Sequence, residues 1–246
     1  MALNVELHTD DLELTGGILK VDIYHAADSP ADLARLTIED ELMQGMGLQK
    51  DQRVEVWLGI EETERVFTGR IASVGTEILI KDFMVDMLKT KVTKALRDVD
   101  FHESASLLFR ECGYSEVVLP EDPSSIKPSV IFHGWSAYDE ARKLARAFGY
   151  SFLPYFDADG KGHFHPADDI DECPAFERGN NIVNLLKTGN MVEVKTVCMP
   201  SLFHSMEVII DHPQVKSDVV LVKSVRHISE GGSLRTIFTF EDVTAS

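Results

Sequence analysis

The sequence predicts a mainly β protein of the α+β kind, with two related antiparallel barrel-like units and a smaller α/β domain inserted between them. The first observation is a series of short β-branched or aromatic runs near the end of the chain, bounded by Gly, Pro, Ser or Asp, with no helical pattern between them. The second is a similar series near the start, and the third is a change to helical spacing in the middle. These changes predict domains over 1–95, 96–176 and 177–246.

The first unit reads as a succession of strands. Residues 18–24 form one apolar run, and residues 53–58 and 66–74 form two more. Apolar residues alternate over 83–87, which predicts a strand that closes the unit. Residues 31–38 fit a helical turn, a loop or a strand, and the pattern does not decide between them.

The middle domain is predicted to contain two capped helices followed by a hairpin. Asp100 and Ser136 are the expected N-caps, because each has an acidic residue three positions later. Gly113 and Gly149 are the expected stops. The turn over 157–162 lies between two short β-like runs and predicts a β-hairpin. The helices are expected to pack a separate small core from Leu108, Phe109, Leu144 and Phe148.

The last unit repeats features of the first. Residues 206–210 resemble residues 53–58, and residues 219–225 line up with residues 66–74. In both places a polar turn separates the two runs and a further strand follows. An internal repeat of this sort indicates two units of the same architecture.

Composition excludes several classes of protein. The chain has 246 residues, with 41 Asp and Glu against 24 Lys and Arg, for a net charge of −17. Binding of DNA by phosphate neutralisation needs clustered basic residues, so it is not expected. Two explanations of the charge are equally good: a soluble acidic surface, and a pore lined with carboxylates that lets DNA slide. Three widely spaced cysteines argue against a disulfide framework and a thiolate zinc site. No signal peptide and no apolar run long enough to span a bilayer are seen.

Candidate chemical sites are few, and we expect no catalytic residue, no metal and no cofactor. His163 and His165 lie two apart on a predicted strand and could supply two metal ligands, with Asp168 or Asp169 nearby, but an exposed hairpin strand is the better interpretation. Residues 157–160 resemble the start of an EF-hand calcium loop, but the third acid before the Gly and the Glu well after it are both missing, so a turn is expected. Two other residues have structural interpretations, as a core thiol and a helix cap: Cys112 and Ser136.

The order of motifs resembles a known family. A V-F-T-G-x-I strand occupies residues 66–71, and a W-S-x-x-x-D/E helix begins at residue 135 and ends in Gly149-Tyr150. A closing V-E-V, P-x-L and V-x-x-V-x-H series then runs over 192–227. This arrangement resembles the baseplate hub family of contractile and related phage tails. That family includes the late control D proteins and the N-terminal hub part of type VI secretion spike proteins.

The resemblance implies a structural role in the virion. It implies a homotrimeric ring with a pseudo-six-fold inner layer that joins the tail tube to a separate spike or needle protein. Other baseplate proteins would be partners, no membrane would be involved, and DNA would pass through the ring without being bound. Since the sequence ends soon after its last strand, the spike is expected on another polypeptide. The inner β-layer of the ring is expected to involve Val54, Val56, Trp57, Val219, Leu221 and Val225.

Two other functions stay open at this point. One is a cell-wall hydrolase of the same machine, using His133, His163 or His165 with nearby acids. The other is a distal-tail adaptor ring. A mass measurement combined with a peptidoglycan-release assay separates the hub from the hydrolase.

Overall fold

The computed structural model describes residues 4–121, 125–164, 173–230 and 232–242. The first part of the chain forms β1 (Asn4–His8), β2 (Glu13–Leu14), β3 (Ile18–Ala26), β4 (Leu33–Ile38), α1 (Asp40–Gly45), β5 (Arg53–Gly59), β6 (Thr63–Val74) and β7 (Ile78–Lys81). The middle forms α2 (Met84–Lys89), β8 (Lys91–Val99), α3 (Phe101–Glu111), β9 (Val117–Val118), β10 (Lys127–Ser136), α4 (Ala137–Phe148), β11 (Tyr155–Phe156) and β12 (Gly162–His163). The last part forms β13 (Ala175–Glu177), β14 (Ile182–Thr188), β15 (Met191–Val197), β16 (Glu207–Asp211), β17 (Val219–Glu230) and β18 (Ser233–Glu241).

Thirteen of these strands join one large sheet, which confirms the mainly β fold class. In the first part the strand order is β3-β4-β7-β6-β5-β1, and in the last part it is β14-β15-β18-β17-β16-β13. Counted along the chain from each first strand, with the two-residue β2 left out, both orders read 2-3-6-5-4-1. Neighbours are antiparallel throughout except β13 and β16, which pair in parallel. The two β-units predicted from the internal repeat therefore share one strand order and differ in the direction of their first strand, which is antiparallel in β1 and parallel in β13.

The units are open sheets and not the barrels that their pattern suggested. A closed barrel in the first unit would require β3 to pair with β1 or β2, the strands at the other end of the unit's sheet. Instead the free edge of β3 pairs with β17 of the last unit, from Asp22 opposite Ile228 to Ala26 opposite Ser224. This junction makes the two units one continuous sheet.

Burial follows the two-residue period of the strands. In β4 and β18 alternate side chains are buried, and they face the cores of their units. The core of the first unit contains Leu7, Ile23, Leu36, Val54 and Phe67, and that of the last unit contains Phe176, Val194, Val208, Phe238 and Phe240. One residue of β18, Leu234, packs in the first core and so strengthens the junction.

The middle of the chain has its own core, built between the helices and the β8–β10 pair. The predicted caps are present: Asp100 Oδ1 accepts from Glu103 N at 2.8 Å, and Ser136 Oγ accepts from Asp139 N at 3.1 Å. Gly149 ends α4 with a φ of +82°, a left-handed conformation that glycine adopts without strain. Leu108, Phe109 and Leu144 are buried there, with Phe148 partly buried against them.

The predicted strand over 83–87 is wrong, because residues 84–89 form helix α2. Met84 and Met87 are three apart and both buried, so one face of a helical turn covers them, and Phe83 packs in the same middle core. The ambiguous residues at 31–38 include strand β4. Strand β8 crosses the predicted limit between residues 95 and 96. The three-domain division stays a prediction.

Candidate assembly interface

The six predicted interface residues differ in burial: three are buried, two are exposed and Trp57 is half-buried. Val54, Val56 and Val225 are fully buried in the cores of their own units, so their side chains cannot contact another chain. Val219 and Leu221 are exposed, at 52% and 56%. An irregularity in the pairing between Val222 and Ser224 shifts the phase of β17 by one residue, which turns Val225 inward although it has the same parity as Val219.

The exposed residues of β17 belong to a small apolar patch. Ile209 of β16 lies directly opposite Val219 and is also exposed. Leu221 continues the patch two residues along the strand. Sequence reasoning missed Ile209, although both faces of 208–210 are apolar, which signals a strand covered on both sides.

Trp57 is half-buried and already has neighbours within the chain. The His8 ring stacks on it at 5.4 Å between centroids, and the Arg65 guanidinium carbon lies 5.5 Å from the indole centroid. His8 Nε2 is 2.9 Å from Glu6 Oε2, and with Glu13 these residues bring three donor atoms within 4.8 Å of one another. A divalent cation could use such donors, but the hydrogen bond between Glu6 and His8 accounts for two of them.

Strand β14 offers an open edge of the large sheet. It pairs with β15 on one side, and on the other side its one partner among the described residues is Arg178, which forms an isolated bridge with Ile182 at the start of the strand. Two of its apolar side chains, Val183 and Leu186, are exposed. An edge strand with unpaired backbone groups and exposed apolar residues is a template for pairing with another chain. Sequence reasoning did not single out this strand, because an edge is a property of topology.

The junction between the units carries a buried group of histidines and carboxylates. His25 Nδ1 lies 2.9 Å from Asp32 Oδ2, and His204 Nε2 lies 3.9 Å from the same oxygen. The His227 ring is 6.1 Å from the His25 ring, and its Nδ1 lies 3.1 Å from Thr236 Oγ1. These residues come from both units, and Tyr155 of the middle part touches the His204 ring at 5.0 Å. The sequence carried no signal that would bring them together.

Burial decides the charge of this group. It lowers the pKa of His25, His204 and His227 to about 3 in each case, because an imidazolium would lose its hydration. Burial raises the pKa of Asp32 to about 8 and that of Asp82 well above its ordinary value for the same reason. The histidines are therefore neutral near pH 7, and they act as packing and hydrogen-bonding groups at the junction.

An ion pair on the surface of the sheet also bridges the junction. Arg226 of β17 donates from Nε to Asp22 Oδ1 at 2.7 Å and from Nη2 to Asp22 Oδ2 at 2.8 Å. The Arg226 guanidinium lowers the pKa of Asp22 through these bonds. Such a bidentate pair fixes the relative position of β3 and β17.

The candidate metal-binding and catalytic residues that lie within the described part of the chain have structural roles. His163 Nε2 lies 2.7 Å from Asp157 Oδ2, and Asp157 Oδ1 accepts from the N–H groups of Asp159 and Lys161, so this segment is a turn. His165, Asp168 and Asp169 lie outside the described residues. Burial raises the pKa of the Cys112 thiol to about 11, which keeps it protonated. His133 is exposed on β10, in a different sheet from His163.

Comparison with known proteins gives a fold and no sequence family. No family model matches the chain, and no curated protein matches its sequence. Within the described residues, no helix is long and apolar enough to cross a membrane.

Solved structures are much more informative. The 43 kDa tail protein of prophage MuSo2 from Shewanella oneidensis is similar with a TM-score of 0.77 at 12% identity, covering 98% of both chains. The tail protein from Neisseria meningitidis MC58 is similar with a TM-score of 0.76 at 13% identity, covering 98% of this chain and 97% of that one.

A third similarity reaches a secretion machine. The Escherichia coli c3393 protein is described as a component of the type VI secretion system with structural similarity to T4 tail proteins gp27 and gp5. Its TM-score is 0.65 at 12% identity, covering 97% of this chain and 77% of that one. At such identities the likeness concerns the fold alone, and the chain therefore has a fold that is found in phage tail proteins and in a type VI secretion component.

Proposed function

We propose that the chain is a structural component of a phage tail or a tail-like injection machine, located in the virion, and that it forms the hub of the baseplate. The fold shared with tail proteins over nearly the whole chain supports the general role. The hub would be a homotrimeric ring that joins the tail tube to a separate spike, with other baseplate proteins around it and DNA or cargo passing through. No catalytic step is part of this proposal.

The observation that supports a ring is the way in which the two units are joined; the number of three chains comes from the resemblance to the hub family. The second strand of the first unit, β3, pairs with the fifth strand of the last unit, β17. The equivalent second strand of the last unit is β14, whose outer edge has no partner among the described strands. Repeating the internal junction would place β14 of one chain beside β6, the fifth strand of the first unit, in a neighbouring chain.

Strand β6 has room for such a neighbour beyond its pairing with β5. The register with β5 ends at Arg70, and the next residue, Ile71, exchanges backbone hydrogen bonds with Asp51 and Gln52. Among the described strands, the remaining residues to Val74 pair with β7 alone, on the other side of β6. Head-to-tail pairing of this kind can close a ring, because each chain offers one strand edge and accepts one from its neighbour. With three chains, the number that the resemblance to the hub family implies, the ring would contain six similar units.

The mass in solution tests this proposal. Light scattering coupled to size-exclusion chromatography should give three times the chain mass of 27.5 kDa. Leu186→Asp places a charge on the outer edge of β14 and should yield a monomer with an unchanged circular dichroism spectrum. Leu19→Asp is the matched control, since Leu19 is an equally exposed leucine on β3. A wild-type monomer that releases peptidoglycan fragments would contradict the hub and favour a hydrolase.

A further inference from the structure

The middle part of the chain has a second open edge, away from the large sheet. Strand β10 pairs with β8 alone among the described strands, and helix α4 lies along its other side. A groove with a volume of about 820 Å³ runs between the strand and the helix. Its walls include Ile131 and Trp135 of β10 and Leu144 of α4. Ile131 and Trp135 are each 53% exposed, which is high for large apolar residues of a strand.

The backbone at this edge has donors that point into the groove. Glu140 of α4 is buried, and its Oε1 accepts from His133 N at 2.7 Å and from Trp135 N at 3.3 Å. The outer N–H groups at this end of β10 are therefore satisfied by the helix. Since alternate residues of a strand point their N–H groups to the same edge, those of Ser129 and Ile131 also face the groove. Among the described residues, the side chains of α4 bond to His133 and Trp135 and not to these two groups.

The charge of the groove contrasts with that of the whole chain. Lys127 and Lys143 line it in a protein with a net charge of −17. Its carboxylate, Glu140, is already occupied by the two backbone donors and lies 3.5 Å from Lys143 Nζ. Lys143 also lies over the Trp135 ring, and Lys127 over the Phe148 ring at 5.4 Å. The groove thus combines two cations with apolar side chains and a free strand edge.

We propose that this groove binds an extended acidic segment of a partner protein, which adds a strand to β10. Backbone groups of the segment pair with Ser129 and Ile131, and its acidic side chains meet Lys127 and Lys143. Its apolar side chains cover Ile131 and Trp135. Strand addition of this kind gives affinity through main-chain bonds and specificity through alternate side chains. The inference does not depend on the ring, because β10 lies outside the large sheet.

Peptide binding to the full chain tests the proposal. The probe is a fluorescein-labelled peptide in which Asp alternates with Val and Thr, and the comparison peptide carries Lys in place of Asp. Fluorescence anisotropy should detect the acidic peptide and not the basic one. The double variant Lys127→Glu, Lys143→Glu should weaken binding by about tenfold or more, because two attractions become repulsions. Lys20→Glu, an exposed lysine of β3, is the matched control and should bind as the wild type does.

Hydrogen exchange locates the bound strand. In the complex the amides of Ser129 and Ile131 should exchange more slowly, whereas that of His133, already bonded to Glu140, should change little. Protection at β14 instead of β10, or equal binding by the lysine double variant, would overturn the proposal. Binding of an oligothymidylate probe in place of the acidic peptide would also overturn it, since Trp135 and the lysines would then serve a nucleic acid.

Discussion

His227 gives the sharpest test of the junction between the two β-units. Its side chain is 1% exposed, and burial lowers its pKa from 6.5 to about 3. A group with a lowered pKa in the folded state stabilises the fold fully above its unfolded pKa. That contribution is lost as the pH falls from about 6.5 toward 3.

The magnitude follows from the number of protons. Between about pH 4 and 6 the unfolded chain holds one proton on this imidazole that the folded chain lacks, which is worth about 1.4 kcal/mol per pH unit. His25 and His204 act in the same direction. Asp32 and Asp82 change the stability in the opposite direction, because their pKa values are raised in the folded state. Their stabilising contribution is present at low pH and is lost as the pH rises, through about 8 for Asp32. The slope of the wild type therefore reflects opposing contributions from the histidines and the carboxyls, and comparison with a variant of His227 isolates the contribution of one imidazole.

The assay is urea unfolding at several pH values between about 4.5 and 6, at one protein concentration and ionic strength. His227→Gln keeps a hydrogen-bonding group but cannot titrate, so its stability should fall less steeply on acidification, by about 1.4 kcal/mol per pH unit relative to the wild type. Thr236→Val is the control. It removes the partner of His227 and should lower stability at every pH while leaving the slope unchanged. Equal slopes for the wild type and His227→Gln would show that this histidine is not buried in the neutral form.

Three further results are expected. Leu144→Ala should lower the free energy of unfolding by about 2–5 kcal/mol, because a buried leucine leaves a cavity, and a loss under about 0.5 kcal/mol would mean the helix phase is wrong. Asp22→Asn should lower the free energy of unfolding by about 1 kcal/mol at neutral pH, because it removes the ion pair with half-exposed Arg226. The loss should be smaller below the ordinary pKa of Asp22, and chemical unfolding at two pH values compares the two. In an image of the assembled ring, Asp and Glu should equal or outnumber Lys and Arg on the bore; the opposite would refute passage through an acidic bore while leaving the hub proposal intact.

Local features of the fold could be predicted from the sequence. The caps at Asp100 and Ser136 depend on residues three positions apart, and both form as expected. The repeat between residues 53–74 and 206–225 also survives, because both pairs of strands form antiparallel hairpins. The short helix α2 was missed because residues 83, 84, 85 and 87 are all apolar, so they fit the two-residue period of a strand as well as the three-residue spacing of a helical turn.

Features that depend on distant parts of the chain could not be predicted. The register irregularity in β17 reverses the burial of Val225, and only the pairing with β18 fixes it. The histidine cluster joins residues from β3, β17 and the segment before β16, which no local pattern connects. The net charge did not indicate where charged side chains lie. Arg35 and Arg226 are exposed on neighbouring parts of one sheet face, although the whole chain is strongly acidic.

The pairing of β3 with β17 has a consequence for how the chain folds. Asp22 and Arg226 are 204 residues apart, so the edge of β3 can pair only after about 200 further residues have been synthesised. Until then β3 is paired with β4 on one side only, and contacts between such distant residues form slowly. During synthesis the edge of β3 is therefore available to other nascent copies. Crowded polysomes, in which several copies emerge close together, are the setting in which mispairing between chains should first appear.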